Sequence, residues 1–178
     1  FSTSEDRLAF PGMIRAFNVL DGSLVWTFHS IPRPGEHGAG TWKTGALETA
    51  GGANAWTGMA LDEERGLLFA PTGSATPDFY GAKRIGDNLY ANSLLAIDAK
   101  TGELRWHYQV VKHDLWDRDN PSPPTLVKVQ RDKELIDAVT LTTKSGHLYV
   151  FDRDSGESLH PIVVVETDLP STLPGEAP

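Results

Sequence analysis

Between Lys112 and Asp119 the sequence reads Lys-His-Asp-Leu-Trp-Asp-Arg-Asp, and its last seven residues hold three carboxylates, an imidazole and an indole. A carboxylate that stays ionised and shielded from water can take the proton of an alcohol, and a nearby cation favours the ionised form. The same residues also suit a polar loop in which Asp side chains cap turns and Trp116 packs between neighbouring elements. Spacing alone favours that plainer reading. Asp114 and Asp117 could also be the acid–base pair of a hydrolase, but two carboxylates in one short loop need not face each other across a substrate. Lys144 stands in the tight turn Lys144-Ser145-Gly146, where a lysine is commonly just solvated. Trp56 follows the small-residue run Gly51-Gly52-Ala53-Asn54-Ala55. Its indole would be either an exposed face under a flat ligand or, more simply, core packing.

Several chemistries are missing. There is no glycine fingerprint for a dinucleotide, no phosphate loop, no nucleophile elbow and no zinc-binding histidine pair. The lack of cysteine removes disulfides, iron–sulfur clusters and thiolate zinc sites. The 178 residues carry a formal net charge of −8, with Lys and Arg scattered singly among acids. Nucleic acid, which needs a basic face, is therefore not an expected partner. No apolar run approaches the ~20 residues that cross a bilayer as a helix. The sequence starts at Phe1 without a signal segment and is expected to begin in mid-protein, so by itself it is silent on targeting.

The elements that must position these residues emerge as a repeat. The stretches Phe17 to Trp26, Ile97 to Trp106 and Phe151 to His160 share one plan: an apolar strand, an Asx residue, a turn ending in Gly, then a second strand. The third copy lacks the terminal Trp. Gly supplies positive φ and the Asx side chain bonds the turn backbone, so each copy reads as a hairpin. Other hairpins precede them. Trp56 to Leu61 and Leu67 to Pro71 flank Glu63-Glu64-Arg65-Gly66, and Ile136 to Thr143 and His147 to Asp152 flank Lys144-Ser145-Gly146. Two hairpins in a row make a four-stranded antiparallel blade. The chain then divides into the end of a blade at 13–29, a blade at 56–109, a blade at 125–165 and a C-terminal loop at 166–178. Gly73 to Tyr90 is a long insertion in the middle blade, and such loops are usually functional or disordered. No sustained 3.6-residue apolar period occurs, so an all-β fold with little helix is expected. So few blades cannot close a ring, and the remaining blades of a parent propeller are expected to cover their open faces.

Taken together, these residues resemble the PQQ-dependent (quinoprotein) dehydrogenases, which are eight-bladed β-propellers. The resemblance runs from about Met13 to the C-terminus and implies that the chain holds about three blades. Its most specific stretches are Ala91-Asn92-Ser93-Leu94-Leu95-Ala96-Ile97-Asp98, Thr101-Gly102 with Trp106, and His113-Asp114-Leu115-Trp116-Asp117. They are joined by Thr143-Lys144-Ser145-Gly146 and Tyr149-Val150-Phe151-Asp152-Arg153. The phrasing is most similar to the membrane-bound glucose and quinate dehydrogenase branch. The repeat resembles the family's tryptophan-docking motif, in which a Trp from each blade stacks onto its neighbour.

The resemblance implies roles residue by residue. Asp117 matches the family's catalytic base, which takes the substrate hydroxyl proton while hydride moves to the quinone. Lys144 matches the lysine that bonds the reactive quinone oxygen, where a fixed positive charge stabilises developing negative charge. Trp56 matches the tryptophan floor under the planar cofactor. PQQ would carry the redox chemistry while the protein supplies orientation and electrostatics. Calcium is implied alongside it. Ser74 follows Thr72-Gly73 where the alcohol-oxidising branch has a calcium-binding Asn, and a hydroxyl is the weaker ligand for a hard cation. Asp117, and Asp119 where the lanthanide-dependent branch has an extra ligand, are the other metal candidates. His113 and Asp114 are expected to stand behind the base. The implied enzyme oxidises a sugar, polyol or cyclic alcohol and passes electrons to ubiquinone or a cytochrome. Its implied location is the periplasm, with membrane association through parts outside this sequence. The alternative is a non-catalytic propeller scaffold resembling the outer-membrane β-barrel assembly lipoprotein. The trio Trp56, Asp117 and Lys144 discriminates, because a scaffold has no use for it.

Overall fold

The computed structural model describes residues 9–43, 45–165 and 172–176. Among them are eleven strands and very little helix. The strands are β1 (Met13–Phe17), β2 (Leu24–His29), β3 (Gly51–Gly52), β4 (Ala60–Asp62), β5 (Leu67–Pro71) and β6 (Ala75–Thr76). They continue as β7 (Ser93–Asp98), β8 (Leu104–Gln109), β9 (Thr125–Arg131), β10 (Glu134–Thr142) and β11 (Leu148–Asp152). Helix is confined to α1 (Ala46–Thr49) and a 3-10 turn at Ala39–Thr41.

Three antiparallel units follow one another. β1 and β2 form a hairpin. β4, β5, β7 and β8 form a four-stranded sheet in that order. β9, β10 and β11 form the third unit, whose fourth strand is reduced to a bridge between Phe151 and Ser158. β4 starts at Ala60 rather than Trp56, because Gly58 at φ 112° leaves the extended region. Trp56 therefore lies in the loop ahead of the sheet. The pairing of β3 with β6 joins Gly51-Gly52 to the insertion after β5. Strands of two residues carry no periodic signal, and the sequence reading has no counterpart for them.

The centre of the chain is β7, whose run Ser-Leu-Leu-Ala-Ile lacks polar alternation because both faces are covered. Leu94 and Ala96 pack with Leu67, Phe69, Val139, Leu141 and Phe151 against the following sheet. Leu95 and Ile97 pack with Ala70 and Ile14 against the preceding hairpin. Period two along the strand sorts the side chains to the two neighbours.

The repeat docks one unit on the next. Trp26 lies over Gly102 and its indole N–H donates to the Ala99 carbonyl at 3.0 Å. Trp106 lies over Gly156 and donates to the Arg153 carbonyl at 2.9 Å. Asp98 and Asp152 close the turns, each accepting two backbone amides on Oδ1 at 2.8–3.0 Å. A Cβ on Gly156, at φ 73°, would sit 2.6 Å from the Trp106 ring. Gly22, in the first copy at φ 72°, has nothing within 4 Å of such a Cβ. Gly22→Ala therefore isolates the backbone strain and is expected to cost about 1 kcal/mol. Gly156→Ala adds the clash and is expected to cost about 3 kcal/mol. Urea unfolding of the two variants measures the difference; equal costs would mean that ring docking does not depend on the missing Cβ.

Candidate active site

Strand register brings the candidate residues to one end of the sheets. Ala60 pairs with Phe69, Pro71 with Leu94 and Ser93 with Gln109, so the start of β4, the end of β5, the start of β7 and the end of β8 lie side by side. Trp56 precedes β4, Ser74 follows β5, and the loop with Asp117 and Asp119 follows β8. The β10–β11 turn brings Lys144 to the same place, its amide donating to the Asp119 carbonyl at 3.3 Å.

A cavity of about 180 Å³ sits at this end, lined among others by Trp56, Gly73, Ser74, Asp78, Asp117 and Asp119. Lys144 Nζ lies 2.9 Å from Asp117 Oδ2 and 3.1 Å from Asp119 Oδ2. Burial works against the ammonium charge, but the hydrogen bonds to Asp117 and Asp119 outweigh it and hold Lys144 above the ordinary lysine range. Asp119 also accepts the Ser74 amide on Oδ1 at 2.5 Å. A Cβ on Gly73 would meet Asp119 Oδ1 at 2.5 Å and Trp56 Nε1 at 2.9 Å. Only glycine lets the indole and that carboxylate approach across position 73.

Asp114 holds the loop in shape. Its carboxylate is buried and accepts the Ser74 hydroxyl at 2.6 Å, the Asn92 amide at 2.9 Å and the backbone amides of Trp116 and Arg118 at 2.9 and 2.6 Å. Such a carboxylate is a structural acceptor and has no free edge for acid–base work, which removes the hydrolase pairing of Asp114 with Asp117. Asp117 itself takes φ 53°, a left-handed conformation that Asp tolerates better than most residues. Trp56 is 57% exposed and Trp116 73% exposed, so neither is packed within the sheets of this chain.

Three site residues have no signal in local spacing. Asp78 lines the cavity from the insertion; burial raises its pKa, and the charges of Asp117 and Asp119 push the same way. Arg84 is buried and donates to the Pro77 carbonyl at 2.9 Å, to Asn88 Oδ1 at 2.8 Å and to the Asp114 carbonyl, tying the insertion to the Asp117 loop. Burial lowers its pKa, against the fields of Asp114, Glu176 and Asp78. Asn92 bridges the Ser74 hydroxyl, at 3.1 Å, and the Arg118 carbonyl, at 3.0 Å.

The cavity offers a flat group an exposed indole and a glycine-built cradle, and Lys144 offsets two of the three acids that line it. The case for a cation is narrower. Among the described residues no group of three or more His, Asp or Glu is arranged to hold a metal. The Ser74 hydroxyl is already engaged with Asp114 and Asn92. A larger cavity of about 430 Å³ lies between β2 and β8, lined among others by His29, His37, Tyr90 and His107, and holds none of the candidate catalytic, cofactor or metal residues.

Comparison with known proteins places these features in a family. The family model described as the glucose/ethanol/alcohol dehydrogenase β-propeller domain with PQQ matches residues 2–178. The chain is 36% identical over 169 residues to quinoprotein glucose dehydrogenase A of Acinetobacter calcoaceticus, covering 91% of this chain and 20% of that protein. It is 36% identical over 167 residues to the quinate/shikimate dehydrogenase (quinone) of Acinetobacter baylyi, covering 93% of this chain and 20% of that protein. The structure superposes on a quinohemoprotein alcohol dehydrogenase of Pseudomonas putida HK5 with a TM-score of 0.79 at 30% identity, over 92% of this chain and 26% of that one. The chain thus spans about a fifth of the length of these curated relatives. With the match running over almost every residue and the propeller fold shared, the chain belongs to the PQQ-dependent dehydrogenase β-propeller family.

Proposed function

We propose that this chain supplies the base, the cation and the floor of the cofactor site in a PQQ-dependent dehydrogenase acting on a sugar, polyol or cyclic alcohol. One observation carries the reading: Trp56 and Asp117 line one cavity, and Lys144 Nζ lies 2.9 Å from Asp117. PQQ, when bound, supplies the two-electron acceptor that no side chain can provide. The Trp56 indole offers a flat apolar face for a planar ring to rest on. Asp117 takes the proton of the substrate hydroxyl. Lys144 keeps the Asp117–Asp119 pair balanced and sets a positive charge where negative charge accumulates during oxidation. Asp117 and Asp119 would be this chain's oxygen donors toward calcium, with further ligands needed from outside it.

The names of the relatives support this substrate range, since they include a glucose dehydrogenase and a quinate/shikimate dehydrogenase. Ubiquinone or a cytochrome as electron acceptor, a periplasmic location and the other blades as structural partners belong to the same proposal. The test is reconstitution of the full-length parent protein with PQQ and calcium, followed by dye reduction over a panel of sugars, polyols and cyclic alcohols. PQQ-dependent reduction with at least one of them is expected; none across the panel would overturn the reading.

A further inference from the structure

Residues 172–176 fold back onto the insertion between β5 and β7. Tyr80 Oη donates to the Pro174 carbonyl at 2.7 Å, and the Gly81 amide donates to Glu176 Oε1 at 2.5 Å. The other carboxylate oxygen, Oε2, lies 3.6 Å from His113 Nε2, with the Glu176 side chain 1% exposed and that of His113 12%. One carboxylate therefore touches both loops of the candidate site. Gly81 belongs to the insertion that carries Asp78, and His113 opens the loop that carries Asp117 and Asp119.

The chemistry of the contact is defined by its partners. His113 Nδ1 lies 3.0 Å from the Gly86 carbonyl, which can only accept, so Nδ1 carries a hydrogen. At 3.6 Å Nε2 faces Glu176 Oε2 within ion-pair range but without a hydrogen bond, and neither atom has any hydrogen-bond partner. A buried carboxylate needs compensating charge. The field of Glu176 is among those that favour the charged form of Arg84, itself buried. Gly81 is also tightly placed, because a Cβ there would sit 2.5 Å from His113 Nε2.

We propose that Glu176 is a positioning residue that clamps the Gly81 and His113 loops together, so that Asp78 and Asp117 keep their places on the cavity. The proposal rests on the reading of that cavity as the cofactor site. The experiment uses the full-length protein and compares Glu176→Ala, Glu176→Gln and Tyr80→Phe. Hydrogen exchange of residues 78–86 and 113–119 is read without cofactor, and PQQ affinity is read by titration. Glu176→Ala should speed exchange in both loops and weaken PQQ binding about tenfold, the effect of losing a hydrogen bond to a charged group. Glu176→Gln should restore both, because its oxygen still accepts from Gly81 and its NH₂ can donate to His113 Nε2. Tyr80→Phe loses only the Pro174 bond and should leave affinity within about twofold.

Unchanged exchange and affinity in Glu176→Ala would overturn the clamp. So would a lower Tm with both readouts unchanged, because that is mere packing of the segment. If Glu176→Ala does not fold, Glu176→Asp, one methylene shorter, takes its place: weaker binding in Asp but not in Gln supports the clamp, and equal affinity in both overturns it. A wild type that binds no PQQ would sink the cofactor reading and leave the clamp to be decided by the exchange data alone.

Discussion

Asp117→Asn should reduce dye reduction by the full-length enzyme about a thousandfold while leaving PQQ affinity within about twofold. The amide has the size of the carboxylate, and its oxygen can still accept from Lys144. The loop itself does not depend on Asp117, because Asp114 holds it through four hydrogen bonds. What disappears is the ability to take a proton from the substrate. A general base is worth about 10²–10⁴ in rate, so the loss should fall on kcat rather than on binding. Cofactor titration and steady-state turnover of the same preparation separate the two. Wild-type-like turnover would remove Asp117 from its role.

Lys144→Met should lower kcat by about 10²–10³, the range seen when one preorganised charge or donor at a reacting centre is lost. The ammonium bridges Asp117 and Asp119, so its removal also leaves two carboxylates facing each other beside Asp78. Calcium, if it binds beside them, should therefore rescue Lys144→Met more than wild type. The pH dependence gives a second readout. Because the folded-state pKa of Lys144 is raised, its contribution to stability is full below the unfolded value of about 10.4 and is lost as pH rises through the higher folded value. Wild type should lose this stability only in the alkaline range, and Lys144→Met should lack that limb. Lys144→Arg keeps the charge but replaces a point donor by a planar fork, and should rescue stability better than turnover. A Met variant with wild-type kcat would separate Lys144 from catalysis.

The division of labour within the loop explains why these two variants can be read cleanly. Asp114, Asn92 and Arg84 shape it from behind, while Asp117, Asp119 and Lys144 face the cavity or its rim. Variants of the first set are expected to disturb folding of the site, and variants of the second its chemistry.

Much of the fold was legible because its signals are local. An Asx side chain, a glycine with positive φ and a tryptophan recur at fixed offsets, and each meets a requirement set within a few residues of the turn. That β7 is covered on both faces emerged only with the structure, where its alternate side chains pack against two different neighbours. From spacing alone, Asp117, Lys144 and Trp56 were ordinary loop, turn and core residues; the resemblance to quinoproteins singled them out. Their convergence, and the parts of Asp78, Arg84 and Glu176, required the tertiary structure. Lys144 meets Asp117 across 27 positions and Glu176 meets Gly81 across 95. Contacts at such range are set by strand register and by how one sheet stacks on the next, which no local preference encodes. The sequence by itself determined the turns, the strands and the docking tryptophans, whose energetics are local. Only the stacking of the sheets decided which acids share a cavity and which cation balances them.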